Sequence, residues 1–170
     1  MTARRIGYRV VIIIIAAILQ VVVVNRLPLP GGHPDLVVLV IIAMALASGA
    51  QIGAILGFCG GFLADVLPPA AHIAGRLALA YTIVGYGAGL LEDPEETSVL
   101  TTILVVASGS AGAVLVYSGV GGLLGDARIT ASSTIHSLVA TVVYDVVLSP
   151  FVVSPVSALA RRLEPIRPRS

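Results

Sequence analysis

The strongest constraint on this chain is a series of long apolar runs that are almost free of charge. The run Val10–Val24 contains one polar residue, Gln20, and similar runs recur along the sequence. Of the 170 residues, 57% are hydrophobic and 11% are charged, whereas an average soluble domain is about 25% charged. This shortage of polar surface excludes an ordinary soluble enzyme, a disordered tail and a nucleic-acid binder. It predicts an all-α, polytopic membrane protein.

Breaks in the apolar pattern divide the chain into six predicted membrane helices in one integral membrane domain, 1–170. Proline, glycine and acidic residues mark the breaks. The second helix has a short apolar core that covers only about 18 Å of a hydrocarbon layer about 30 Å thick, so it either spans or is re-entrant. We expect a bend near Ser149-Pro150 and a surface tail after it. The predicted helices are residues 8–24, 34–48, 51–67, 75–91, 97–117 and 132–153, and the tail is 156–170.

The arginines predict the topology. Seven of the ten basic residues lie at the two ends of the chain, and the positive-inside rule then places both termini in the cytoplasm. Termini on one side require an even number of crossings, which favours six helices over five. The first run is long for a secretory signal and no small-residue cleavage site follows it, so we expect it to stay as a membrane helix. The seven arginines are Arg4, Arg5, Arg9, Arg161, Arg162, Arg167 and Arg169.

Small residues recur every four positions in the third and fourth helices. This spacing places them on one helix face, where two backbones can approach closely in lipid. Either the stripes pack helices inside this bundle or they dock a helix of a partner protein. The residues concerned are Gly53, Gly57 and Gly61 in the third helix and Gly85 and Gly89 in the fourth.

Three charged residues lie within the predicted membrane helices, where a charge requires a structural or functional explanation. Asp65 lies in the last turn of the third helix and Arg76 in the first turn of the fourth, so each has the wrong sign for its own helix dipole. A mutual ion pair would explain both, and snorkelling of each to water is the alternative. We expect Asp145 to be a buried polar contact between helices, and His136 to be a buried polar residue on a different face of the sixth helix.

The polar residues do not form a recognisable catalytic or metal site. The histidines, at 33, 72 and 136, show no metal-ligand spacing. An aspartyl dyad of Asp65 and Asp145 is disfavoured because the topology places them at different depths. The sequence has no phosphate-binding loop, nucleophile elbow or HExxH motif. We therefore expect no enzymatic activity, no cofactor and no metal.

Four short motifs in 51–91 form a recognisable series. They read GAILGF at 53–58, GFLAD at 61–65, GRLAL at 75–79 and GYGAGL at 85–90. This series resembles the MreD family of rod shape-determining proteins, which has a G-x-x-x-GF-x-x-G-x-x-x-D stretch, a short loop, G-x-x-AL and GY-x-x-G. The turn 92–96 departs from the family pattern, because it is acidic where basic residues are expected in many relatives.

The resemblance implies a six-helix bundle like the substrate-binding subunits of energy-coupling-factor importers, in the bacterial cytoplasmic membrane. It implies a non-catalytic scaffold that binds the membrane segment of MreC, a single-span coiled-coil protein. Its other partners would be a RodA-type polymerase, a transpeptidase and membrane lipid, in the machinery that controls peptidoglycan synthesis and rod shape. The alternatives are the substrate-binding subunit of a small-molecule importer and, less favoured, a membrane hydrolase. Few polar residues are available for a ligand, which favours the scaffold.

Overall fold

A computed structural model describes residues 3–67, 75–91 and 98–163. Within these ranges the chain forms α-helices and one short 3-10 turn at Val24–Arg26. The number of helices agrees with the prediction, although several boundaries differ. The helices are α1 (Ala3–Val22), α2 (Leu36–Ser48), α3 (Ala50–Val66), α4 (Arg76–Gly89), α5 (Val99–Leu123) and α6 (Ala131–Leu163).

The short helix α2 is the centre of the bundle. It contacts each of the other helices, and almost all of its residues are buried. Because no face of this helix is exposed to solvent, a polar side would not be stabilising. This explains why the sequence LVVLVIIAMALAS is apolar on all sides. At 13 residues it is about 20 Å long, and its neighbours cover its whole length.

Contacts between successive helices define two ends of the bundle. At the Arg9 end, the Arg9 guanidinium donates to Ser48 Oγ over 3.1 Å, and α3 begins beside Gly89. At the opposite end, which we call the Asp65 end, α3 ends and α4 begins. The helix α2 starts toward the Asp65 end, where the Leu36 amide donates to Gln20 Oε1 over 2.9 Å, and finishes at the Arg9 end. It therefore runs from one end of the bundle to the other.

Two helices continue past their predicted ends. The helix α5 passes through Gly119, Gly121 and Gly122, which were predicted as loop, and the turn comes only at Gly125 with a φ of +75°. The helix α6 continues through both of its prolines to Leu163, where we had predicted a surface tail from 156. Residues 164–170 of that tail lie outside the described ranges.

The sequence of α6 explains how the helix survives Pro150. Proline has no N–H group, so the carbonyl of Val146 loses its usual partner. The Ser149 hydroxyl donates to that carbonyl over 2.8 Å and replaces the missing bond. Ser and Thr side chains commonly compensate in this way inside membrane helices. The helix therefore does not end near Pro150, and the bend expected there stays a prediction.

The exterior of the bundle is strongly apolar. Large hydrophobic side chains are about half exposed along α1, α3, α4, α5 and α6. Among the described residues, three helical stretches are long and apolar enough to cross a membrane: Ile6–Arg26, Val99–Leu123 and Ala131–Arg162. Water would disfavour such a surface, whereas hydrocarbon accommodates it.

Candidate functional site

The glycine stripes hold α3 and α4 together. A Cβ atom at Gly53 would overlap the carbonyl of Gly85, one at Gly57 that of Tyr81, and one at Gly61 that of Leu77. The predicted stripes therefore pack helices within the bundle, and their glycine faces are not available to a partner. Gly89 completes the series, with a hypothetical Cβ 2.5 Å from the Ala50 nitrogen.

Asp65 binds the start of the next helix. Its carboxylate accepts hydrogen bonds from the backbone N–H groups of Gly75 at 2.8 Å, Leu77 at 3.2 Å and Ala78 at 3.1 Å, and the residue is 2% exposed. An anion is favourable at a helix N-terminus, because the dipole is positive there and the first N–H groups lack helical partners. The unfavourable position of Asp65 in α3 is thus compensated by α4.

Arg76 binds a different acid from the one predicted. Its Nη1 lies 2.9 Å from Asp126 Oδ2, its Nη2 donates to the Tyr117 carbonyl over 3.1 Å, and its guanidinium lies 4.0 Å from the centre of the Tyr117 ring. The predicted Asp65–Arg76 ion pair is therefore wrong. The backbone of α4 satisfies Asp65, which leaves the guanidinium to fasten α4 to α5 and the following turn.

Gly121 makes this arrangement possible. A Cβ atom at this position would overlap the guanidinium of Arg76. Arg128 lies on the other side of Asp126, with its Nε 3.0 Å from Asp126 Oδ1. The guanidinium groups of Arg128 and then Arg76 hold the pKa of the Asp126 carboxyl well below its usual range. This cluster stays charged at neutral pH, and the stability it contributes is lost only as strong acid protonates Asp126.

The two arginines on Asp126 provide a matched pair for a test. The Arg76 side chain is 2% exposed and that of Arg128 is 63% exposed. Arg76→Gln should lower the thermal unfolding midpoint clearly, because it removes the buried guanidinium that joins Asp126 to the carbonyl and ring of Tyr117. Arg128→Gln should lower the midpoint much less, because an exposed ion pair contributes little to stability. Circular dichroism melts in detergent measure both, and equal shifts would contradict the burial of Arg76.

Asp145 links three helices at the centre of the bundle. It is fully buried, its Oδ1 accepts from the Asp35 backbone N–H over 2.7 Å, and its Oδ2 accepts from the Ser110 hydroxyl over 2.5 Å. Asp145 belongs to α6, Ser110 to α5, and Asp35 directly precedes α2. The prediction of a buried polar contact between helices is therefore confirmed.

Asp35 is the functional candidate that sequence analysis missed. Its Oδ1 accepts from the Val38 amide over 3.1 Å as the N-cap of α2, and the Tyr81 hydroxyl donates to its Oδ2. We call Asp35, Tyr81, Ser110 and Asp145 the acidic junction. An aspartate immediately before an apolar run is an N-cap signal, but we had started the helix one residue earlier at Pro34. The acid that accompanies Asp145 here is thus Asp35 and not Asp65.

Neither histidine in the described ranges contributes a side-chain hydrogen bond to this junction. His136 is exposed and its Nδ1 lies 2.8 Å from the Ser132 carbonyl, so the prediction that it is buried is wrong. An exposed backbone carbonyl one turn earlier is a sufficient partner, which removes any need for burial. His33 contacts the Leu27 carbonyl at 2.9 Å, and His72 lies outside the described residues. Within the described ranges no group of three or more His, Cys, Asp or Glu side chains could hold a metal ion.

A polar cavity of about 420 Å³ opens from the acidic junction toward the Asp65 end. Asp35 and Tyr81 of the acidic junction line it, as do Asp126 and Arg128. Hydroxyl side chains of α5 and α6 form much of the wall. These are Ser110, Ser118, Ser133, Thr134, Ser137 and Thr141.

The apolar exterior, the long apolar helices and the buried charges whose hydrogen-bonding partners lie inside the bundle define a helical membrane protein. The model of the family described as rod shape-determining protein MreD matches residues 3–163, nearly the whole chain. The chain therefore belongs to this family and has a role in rod shape determination, which confirms the resemblance seen in the motifs. Comparison with curated proteins and with solved structures gave no match.

Proposed function

We propose that the protein is a non-catalytic membrane scaffold of the cell-wall elongation machinery that binds the membrane segment of an MreC-like partner. The observation that carries the proposal is the family match over residues 3–163. The bundle supports it because the buried charges of α3, α4 and α6 are used for internal packing, and the outer faces are left apolar. A partner helix in the same bilayer can pack on such faces without having to satisfy a charge.

The acidic junction supports a structural role. Each of the four carboxylate oxygens of Asp35 and Asp145 accepts a hydrogen bond from the protein. These bonds fasten α2, α4, α5 and α6 to one another, which suits a rigid scaffold.

The proposed topology places the Arg9 end in the cytoplasm and the Asp65 end outside, in the bacterial cytoplasmic membrane. The arginines near both termini support this orientation. All six helices would then cross the membrane, with α2 as the central element, in an arrangement like that of energy-coupling-factor substrate-binding subunits. A RodA-type polymerase and a transpeptidase would join the same assembly through the partner protein.

Co-purification tests the scaffold proposal. A tagged chain, co-expressed with the MreC-like protein of its own organism, should retain that protein through detergent extraction and size-exclusion chromatography. The matched control is the same partner with its membrane helix replaced by an unrelated one, which should be lost. If the tagged chain releases its partner under conditions in which the bundle stays folded, the proposal is wrong.

The polar cavity favours a second candidate, the substrate-binding subunit of a small-molecule importer. The cavity is large enough for a small polar molecule and carries hydrogen-bonding groups at its base and walls. Recovery of the tagged chain with an ATPase-driven energising module would support this candidate and contradict the scaffold.

A further inference from the structure

A second cavity lies at the Arg9 end, between the start of α5 and the second half of α6. Its volume is about 570 Å³. Buried Leu46 of α2 contributes to its lining, as do Val99 of α5 and Val153 of α6. This groove is separate from the polar cavity and shares none of its lining residues.

The groove is more apolar than its residue names suggest. Ser157 lines it, but its hydroxyl donates to the Ser154 carbonyl over 3.1 Å. Ser149 also lines it and donates to the Val146 carbonyl. These are two of the four hydroxyl residues that line the groove, the others being Thr102 and Ser154, and because their own helix engages them they present little polarity to an occupant. The surface that an occupant meets is therefore largely hydrocarbon.

The groove ends at positive charge. Arg161 lines it, and Arg162 follows in the last turn of α6. Both residues are exposed. In the proposed topology this end faces the cytoplasmic leaflet, which carries anionic lipids. An apolar channel that ends at two arginines matches an amphiphile with an apolar tail and a negative head.

We propose that this groove binds one phospholipid with an anionic headgroup. One acyl chain would lie against Leu46 and Val153, and the phosphate would lie at Arg161 and Arg162. A protein helix fits the observations less well, because it is about 10 Å wide with its side chains and would need an acidic residue at the arginine end. The proposal goes beyond the scaffold function and does not depend on any protein partner.

Native mass spectrometry of the delipidated full chain in detergent tests the proposal, with phosphatidylglycerol and phosphatidylcholine of identical chains as probes. We expect one phosphatidylglycerol per chain and weaker binding of phosphatidylcholine. Arg161→Gln and Arg162→Gln should each weaken phosphatidylglycerol binding about fivefold. The matched control is Arg26→Gln, an exposed arginine toward the opposite end, which should leave binding unchanged. Equal binding of both lipids, or equal effects of all three substitutions, would overturn the proposal.

A second variant separates lipid binding from folding. Ala158 is exposed at the groove, so Ala158→Phe should fill the space and abolish lipid binding without changing the circular dichroism melt of the lipid-free chain. A photo-crosslinker at the same position, in cell membranes, should capture phospholipid. Capture of a protein segment instead, or undiminished lipid binding by Ala158→Phe, would overturn the proposal. Neither result depends on whether the MreC-like protein binds.

Discussion

Gly57→Ala should abolish or severely reduce the yield of folded protein, whereas Gly87→Ala should not. The added methyl group at Gly57 would overlap the carbonyl of Tyr81 and lie 2.9 Å from the Thr82 Cα atom. These are backbone atoms, so α3 and α4 must separate along their whole contact. Overpacking typically costs about 1–3 kcal/mol when side chains can adjust, and we expect at least the upper value here.

Gly87 is a matched control in the same hairpin. A Cβ atom there meets nothing within 4 Å, and alanine in a helix interior is favoured over glycine by about 0.5–1 kcal/mol. Because the chain has no tryptophan, the measurement is a circular dichroism melt in detergent together with the monodisperse fraction on size exclusion. Equal midpoints for the two variants would contradict the close packing of α3 on α4.

The second large effect is expected at Asp145. Asp145→Leu removes the acceptor of the Asp35 amide and of the Ser110 hydroxyl. Each buried donor left without a partner costs about 1–3 kcal/mol, so the thermal midpoint should fall steeply. Asp145→Asn keeps one carbonyl acceptor, so its thermal midpoint should fall less. Val143→Leu, at an exposed position of the same helix, is the control and should have little effect.

The asparagine variant also tests the absence of catalysis. If Asp145 is structural, cell shape should follow the amount of folded Asp145→Asn protein. A variant that folds as well as the wild type yet cannot support rod shape would point to a chemical role for the carboxylate. That result would contradict the non-catalytic proposal.

The sequence predicted the class of fold and the positions of the helices well. The periodicity of apolar residues and the positions of helix-breaking residues act locally, so they can be recognised in the sequence. A chain with so few charges also has little freedom in where its membrane segments lie. The helix ends were less predictable. The extension of α5 through Gly121 depends on the Arg76 guanidinium that packs there, and that of α6 depends on the Ser149 hydroxyl. Both are contacts that glycine and proline counts do not reveal.

The charged residues show where sequence reasoning stops. Asp65 and Arg76 were correctly singled out as needing partners, because their helix positions are unfavourable. The partners themselves were wrong, since the backbone N–H groups of α4 compete for Asp65 and the distant Asp126 is available to Arg76. Asp35 was overlooked because its bond to Asp145 joins residues 110 positions apart. Only tertiary structure brings such residues together.

The central claim is that an MreC-like membrane segment packs on an outer face of this bundle, and site-specific photo-crosslinking in the co-purified complex tests it most directly. Crosslinkers are placed one at a time at large exposed side chains on five helices, with fully buried Met44 of α2 as the control. We predict crosslinks to the partner's membrane segment from neighbouring positions on one side of the bundle and none from Met44. A complex in which no exposed position crosslinks to that segment would contradict the account. The exposed positions are Ile18, Phe62, Ile83, Leu115 and Val139.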